Sequence, residues 1–171
     1  MVRFDIPRIT EAWALAPFKV ALTWDNGVSA TIDLSGHMKR LAIFAPLLGD
    51  KGLWAKMKVD EELAYHLAWP NPDGGPALEV PTDLLWRLHL QQTGQVMSPL
   101  EFAGWMDHHR LSLEGAAKAL GISRRMAAYY KSGERLAPKT ILLACKGYDT
   151  MAGVVHRQGD SKPVSQTGRA A

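Results

Sequence analysis

Residues 111–133 read "LSLEGAAKALGISRRMAAYYKSG", and their spacing predicts two short helices joined by a tight turn. Ser112 is placed to cap the first helix, and Ala116, Ala117 and Leu120 supply its apolar face. Gly121 stands where that helix must end in a conformation that glycine adopts without penalty. Ile122 fills the corner. Ser123 is a second cap, so the N–H groups of Arg124 to Met126 open a new helix whose first turn carries two adjacent arginines. Such a helix start attracts anions.

Working outward, "PLEFAGWMDHHR" predicts a preceding helix that begins at Ser98 or Pro99, with Leu100, Ala103, Trp105 and Met106 as its core-facing set. After the pair, "SGERLAPKT" reads as a loop, and Pro138 opens a last helix, "KTILLACKGY", expected to end near Gly147. Cys145 falls on its inward face. The segment after Val155 is too poor in apolar residues to pack, which predicts a flexible tail over 156–171. Thr93-Gly94 breaks the helical pattern upstream and sets a domain boundary, giving one domain over 1–93 and a second over 94–155.

The first domain reads as a small α+β unit. Residues 9–16 and 18–24 are rich in strand formers, Asp25-Asn26-Gly27 is a hairpin turn, and Val28, Ala30, Ile32 and Leu34 alternate with polar residues. "HMKRLAIFAPLLG" is a helical turn or loop interrupted by Pro46. "LWAKMKV" (53–59) and "LAYHLAW" (63–69) are read as further strands, the latter also suiting a helix. Leu78 to Val80 is a last short strand, and "DLLWRLHLQQT" a helix with Leu84, Leu85 and Leu88 apolar and Arg87 and Gln91 outward. Of Trp13, Phe18, Trp24, Phe44 and Trp54, most must form the core.

Charge is unevenly placed. Residues 1–93 carry nine Lys/Arg against eleven Asp/Glu, a balance of −2, whereas 94–147 carry eight against four, a balance of +4. A basic module of this kind suits a phosphate backbone. No apolar run approaches the ~18 residues of a membrane span, and the first residues lack a signal peptide's apolar core, which predicts a cytoplasmic protein without membrane contact. A single cysteine forms no internal disulfide. The histidines are scattered, with no metal-ligand spacing, and Asp107 is the acid nearest the His108-His109 pair in sequence. There is no phosphate-cradling glycine loop, no dinucleotide fingerprint and no nucleophile placed by motif, so no catalytic residue, cofactor or metal is expected and an enzyme is not.

Several positions of the second domain carry a resemblance. Ala117, the turn Ala119-Leu120-Gly121-Ile122-Ser123, Tyr130, Gly133 and Pro138 together resemble the Cro/C1-type helix-turn-helix of bacterial and phage repressors, over about residues 100–148. That likeness implies an all-helical domain whose second helix, 123–132, enters the DNA major groove. On this helix Ala127 and Tyr130 match the family's core positions, leaving Arg124, Arg125, Ala128 and Tyr129 outward. Arg124, Arg125 and Tyr129 are the candidate base contacts, since an arginine fork donates two hydrogen bonds to guanine O6 and N7. Ser132, Arg135, Lys139 and Lys131 are the candidate phosphate contacts. Two positions depart from the family: Leu113 stands where many members hold a phosphate with glutamine, and Tyr130-Lys131 replaces an aromatic-glutamate pair. Residues 9–90 resemble a bacterial family of small domains of unknown function, through Asp25 to Gly27, Asp33-Leu34 and Trp69-Pro70.

The resulting expectation is a sequence-specific double-stranded DNA binder, a transcription regulator acting as a homodimer, whose amino-terminal domain supports dimerisation, senses a protein partner, or both. The alternative is an antitoxin-like or adaptor module whose helix-turn-helix docks a protein, with Leu113 as its apolar contact. A third reading is a structural domain pair.

Overall fold

The computed structural model describes residues 6–15, 17–60 and 66–159. The chain is α+β and divides between Thr93 and Gly94 into two compact units.

In the first unit, β1 (Ile9–Leu15), β2 (Lys19–Trp24) and β3 (Ser29–Asp33) form an antiparallel sheet in that order. The β2–β3 turn uses Gly27 at φ +81°, a left-handed value that glycine takes without strain. Asn26 Oδ1 accepts from the Val28 N–H at 3.1 Å and completes the turn. Alternation puts Val20, Leu22, Trp24 and Ile32 inward. Short helices follow: α1 (Ser35–Arg40), a 3-10 turn (Ala42–Phe44), α2 (Ala45–Gly49) and α3 (Lys51–Trp54). A second antiparallel sheet orders β4 (Lys58–Asp60), β5 (His66–Trp69) and β6 (Leu78–Val80), and α4 (Thr82–Gln92) closes the unit. The Gln92 side chain pairs with the Asp33 backbone as a strand would, accepting its N–H at 3.1 Å and donating to its carbonyl at 2.9 Å.

Two expectations for this unit are corrected. The stretch 53–59 is not one strand, because the Asp50 carboxylate caps α3 by accepting from the N–H groups of Gly52 (2.8 Å) and Leu53 (3.0 Å), leaving only Lys58–Asp60 extended. Pro46 does not interrupt a helix but stands in the first turn of α2, where no helical partner is lost. Most of the aromatic residues do form the core: Trp24, Phe44 and Trp54 are buried and Phe18 is half-buried, while Trp13 points off the sheet and is 54% exposed. Residues 63–65 of the expected fifth strand lie outside the described residues.

The core is aromatic. Trp54 and Trp69 stack with centroids 5.1 Å apart, Trp69 Nε1 donates to the Trp54 carbonyl at 3.0 Å, and Trp54 Nε1 donates to the Leu15 carbonyl at 2.7 Å. The indole N–H groups of Trp54 and Trp69 thus each find a backbone acceptor. These two bonds join β1, α3 and β5.

The second unit comprises β7 (Val96–Met97), α5 (Pro99–His108), α6 (Leu113–Leu120), α7 (Arg124–Ser132), β8 (Ala137–Pro138) and α8 (Lys139–Gly159). It is helical apart from the β7–β8 pair, in which Val96 faces Pro138 and Met97 faces Ala137. A capping box opens α5: Ser98 Oγ accepts from the Glu101 N–H at 3.1 Å, and Glu101 Oε2 accepts from the Ser98 N–H at 2.7 Å. This start turns Phe102, Trp105 and Met106 inward and leaves Leu100 80% exposed, so Leu100 is not core and Phe102 takes the role expected of it. The last helix does not end at Gly147. Burial of Ile141 and Cys145, with Tyr148 and Ala152 half-buried on the same side, outweighs the cost of about 1 kcal/mol that an internal glycine carries. Residues 156–159 of the expected tail belong to α8, and 160–171 lie outside the described residues.

Candidate nucleic-acid interface

Local chemistry sets the α6–turn–α7 geometry. Ser112 Oγ accepts from the Gly115 N–H at 3.1 Å, and Gly121 ends α6 at φ +66° with its N–H on the Ala117 carbonyl. Ser123 Oγ accepts from the Met126 N–H at 3.2 Å and starts α7, which Gly133 ends at φ +80°. A Cβ at Gly133 would be strained by the positive φ and would crowd Pro99 Cγ at 3.0 Å. Ala116, Ala117 and Ala127 are buried where α6 meets α7. Small side chains let the two axes approach closely. Tyr130 packs edge-on against Phe102 of α5, 5.8 Å between centroids, and burial pushes its phenol above the ordinary tyrosine value.

At about 100° per residue, burial of Ala127 and Tyr130 leaves an outward arc centred on Ala128 and Ser132. Arg124 lies on one side of that arc, Arg125 and Tyr129 on the other. Residues 124–133 hold no acid, and no ion pair among the described residues engages Arg124, Arg125, Lys131, Arg135 or Lys139. Their charge is therefore available to an outside anion.

The structure adds contacts that residue spacing alone did not single out. Arg125 Nε donates to Tyr129 Oη, and the Arg125 guanidinium carbon lies 5.2 Å from the Tyr129 ring centroid. Arg135 comes over the same ring at 5.4 Å, held by its own N–H on the Tyr129 carbonyl at 3.3 Å. The i, i+4 spacing of Arg125 and Tyr129 was a signal for the first contact. Nothing local marks the second. Ser132 is engaged within the helix end: its hydroxyl donates to the Tyr129 carbonyl at 3.3 Å and accepts from the Glu134 N–H at 3.3 Å. Lys131 and Lys139 are exposed.

Leu113 is half-buried against the helical core rather than standing out as an apolar contact. His109 does not pair with Asp107. Its Nε2 lies 2.6 Å from Asp149 Oδ1 on α8, the same oxygen that accepts from Trp105 Nε1 at 2.9 Å. Cys145 is buried, and burial, with the Asp149 carboxylate adding to it, pushes its thiol up to about 11. It is thus held protonated at neutral pH and suits packing rather than nucleophilic chemistry. Among the described residues no group of three or more His, Cys, Asp or Glu is placed to hold a metal ion, and no helix is long and apolar enough to cross a membrane.

No family model matches the chain, and no curated relative does. Among solved structures it is similar to "Putative DNA Binding Protein NE0471" from Nitrosomonas europaea ATCC 19718, at 29% identity and a TM-score of 0.46, with 99% of this chain and 100% of that one covered.

Proposed function

We propose that the chain binds double-stranded DNA sequence-specifically through a Cro/C1-type helix-turn-helix formed by α6 and α7, and acts as a transcription regulator. One observation carries this reading: the outward arc of α7 presents Arg124, Arg125 and Tyr129 around the small Ala128, free of acids and of ion pairs, on a helix fixed by its own caps and by buried alanines. In this arrangement α7 enters the major groove and the arginines meet base edges, while Arg135, Lys139 and Lys131 meet phosphates that set its register. A single small module buries limited surface, so a two-fold dimer reading two half-sites is the economical route to specificity. Trp13 and Leu15, both exposed on β1, offer the first unit an apolar face for such a dimer, and Leu143 and Met151 on α8 offer another on the second. The protein-docking alternative leans on Leu113, which is half-buried against the helical core and offers a partner only part of its side chain.

The test is capture of mixed genomic DNA fragments followed by sequencing. The wild-type chain is expected to enrich one sequence family with two-fold symmetry, and the chain carrying Arg124→Ala with Arg125→Ala is expected to enrich none. Equal recovery of all fragments by the wild type would sink the proposal.

A further inference from the structure

We propose that Tyr129 is a positioning residue rather than a base contact: it holds the Arg125 guanidinium so that its two terminal nitrogens face the groove and read one guanine per recognition helix, and it gathers Arg135 beside that reader as a phosphate contact. The inference rests on the DNA reading above and deepens it. Arginine can address a base through its Nε edge or through its two Nη groups. The bond from Arg125 Nε to Tyr129 Oη occupies the first edge and leaves the second outward. Two parallel donors match guanine O6 and N7, whereas adenine offers one acceptor and a donor at the same places. The Tyr129 ring meanwhile carries both guanidinium groups, at 5.2 and 5.4 Å, with no carboxylate paired to either. Two cations sharing one ring repel each other, and a backbone phosphate next to the guanine relieves that repulsion. Arg135 is the better placed of the two to meet it, because its backbone is fixed to the end of α7 by the N–H bond to the Tyr129 carbonyl.

The experiment is selection from a random duplex library with the full chain, its Arg125→Ala, Arg125→Lys, Tyr129→Phe and Arg135→Ala variants, and melting curves as a folding control. Arg125→Ala is expected to erase one guanine preference per half-site, an effect of about 5- to 100-fold. Arg125→Lys, which keeps the charge and loses the fork, should erase the same preference. Tyr129→Phe keeps the ring and removes the hydroxyl, and should weaken that guanine preference by about 2- to 10-fold with the other positions and the melting curve unchanged. Arg135→Ala should weaken binding to all duplexes alike and lower the salt slope by about one. A Tyr129→Phe variant that keeps the full guanine preference, or loses preference at a different base pair from Arg125→Ala, overturns the inference while leaving the DNA reading intact. A wild-type chain that enriches no sequence overturns both.

Discussion

The amino-terminal unit closes its core with large aromatic side chains brought from distant parts of the chain, whereas the helical unit brings α6 and α7 together on alanines. Trp54 and Trp69 stack and hang their N–H groups on carbonyls 39 and 15 residues away. In the α6–α7 pair, Ala116, Ala117 and Ala127 permit close approach, and serines that accept from N–H groups three residues further on fix where each helix begins. The first arrangement fills volume and depends on every partner. The second leaves little space to fill and depends on keeping side chains small. It also leaves Arg124 and Arg125 on the opposite face of α7 out of the core, which is what a surface that meets a ligand requires.

Substitutions in the two units should fail in opposite directions. The largest expected effect is Trp69→Ala, which removes a buried indole, its stack and its N–H bond, and should cost about 3–5 kcal/mol by denaturant unfolding. Five of the six tryptophans lie in the first unit, so their fluorescence follows the loss. In the helical unit, enlarging is the damaging change: Ala127→Leu should cost about 1–3 kcal/mol by forcing α7 away from its neighbours. Alkylation of Cys145, protected by burial and by a thiol held up to about 11, should accelerate as that unit opens. An unchanged alkylation rate in Ala127→Leu would show that the contact is not as tight as its burial implies. Ser123→Ala, which deletes one cap, should cost about 1 kcal/mol.

The smallest expected effect is on pH dependence. Burial holds His89 below the ordinary histidine value, and burial with the Arg40 charge does the same for His37. A hydrogen bond from the Ser35 side chain, helped by the Ser35 backbone N–H, holds Asp33 below the usual carboxylate range. For groups depressed in the folded state, the stability they contribute is complete above their unfolded values and is lost as pH falls through the folded ones. The first unit should therefore lose stability as pH falls below about 6.5 for the histidines, and again below about 3.9 for Asp33. Melting temperatures between pH 8 and 3 check this, and the histidine step should disappear in a His37→Gln, His89→Gln chain.

The same contrast explains what was legible in the sequence. Ser112, Gly121, Ser123 and Gly133 act within three or four residues, so the α6 and α7 boundaries could be read directly, while the outward set Arg124, Arg125 and Tyr129 followed from matching Ala127 and Tyr130 to the core positions of the helix-turn-helix the sequence resembles. The β2–β3 hairpin was legible for a similar reason, because Gly27 and the alternation from Val28 to Leu34 are local signals. Features set by distant partners were not. The exposure of Trp13 depends on tertiary packing, whereas the division of 53–59 into helix and strand follows from a local cap by Asp50 that apparent alternation concealed. The His109–Asp149 contact spans 40 residues, and Arg135 reaches Tyr129 only because the chain turns back after α7. The length of α8 was missed because Gly147 reads as a stop when its packing is not seen.

The central claim is that the outward face of α7 reads DNA sequence. The most direct measurement is the equilibrium affinity of the chain for its own enriched duplex and for a scrambled duplex, across a series of salt concentrations, with and without Arg124→Ala and Arg125→Ala. The account predicts that the wild type prefers the enriched duplex by about a thousandfold or more and loses affinity steeply as salt rises. The doubly substituted chain should keep its fold by circular dichroism and bring the two duplexes to within about tenfold of each other, since each lost bidentate contact removes 1–3 kcal/mol or so of discrimination. Equal affinity of the wild type for both duplexes, or full sequence preference retained without the two arginines, would contradict it.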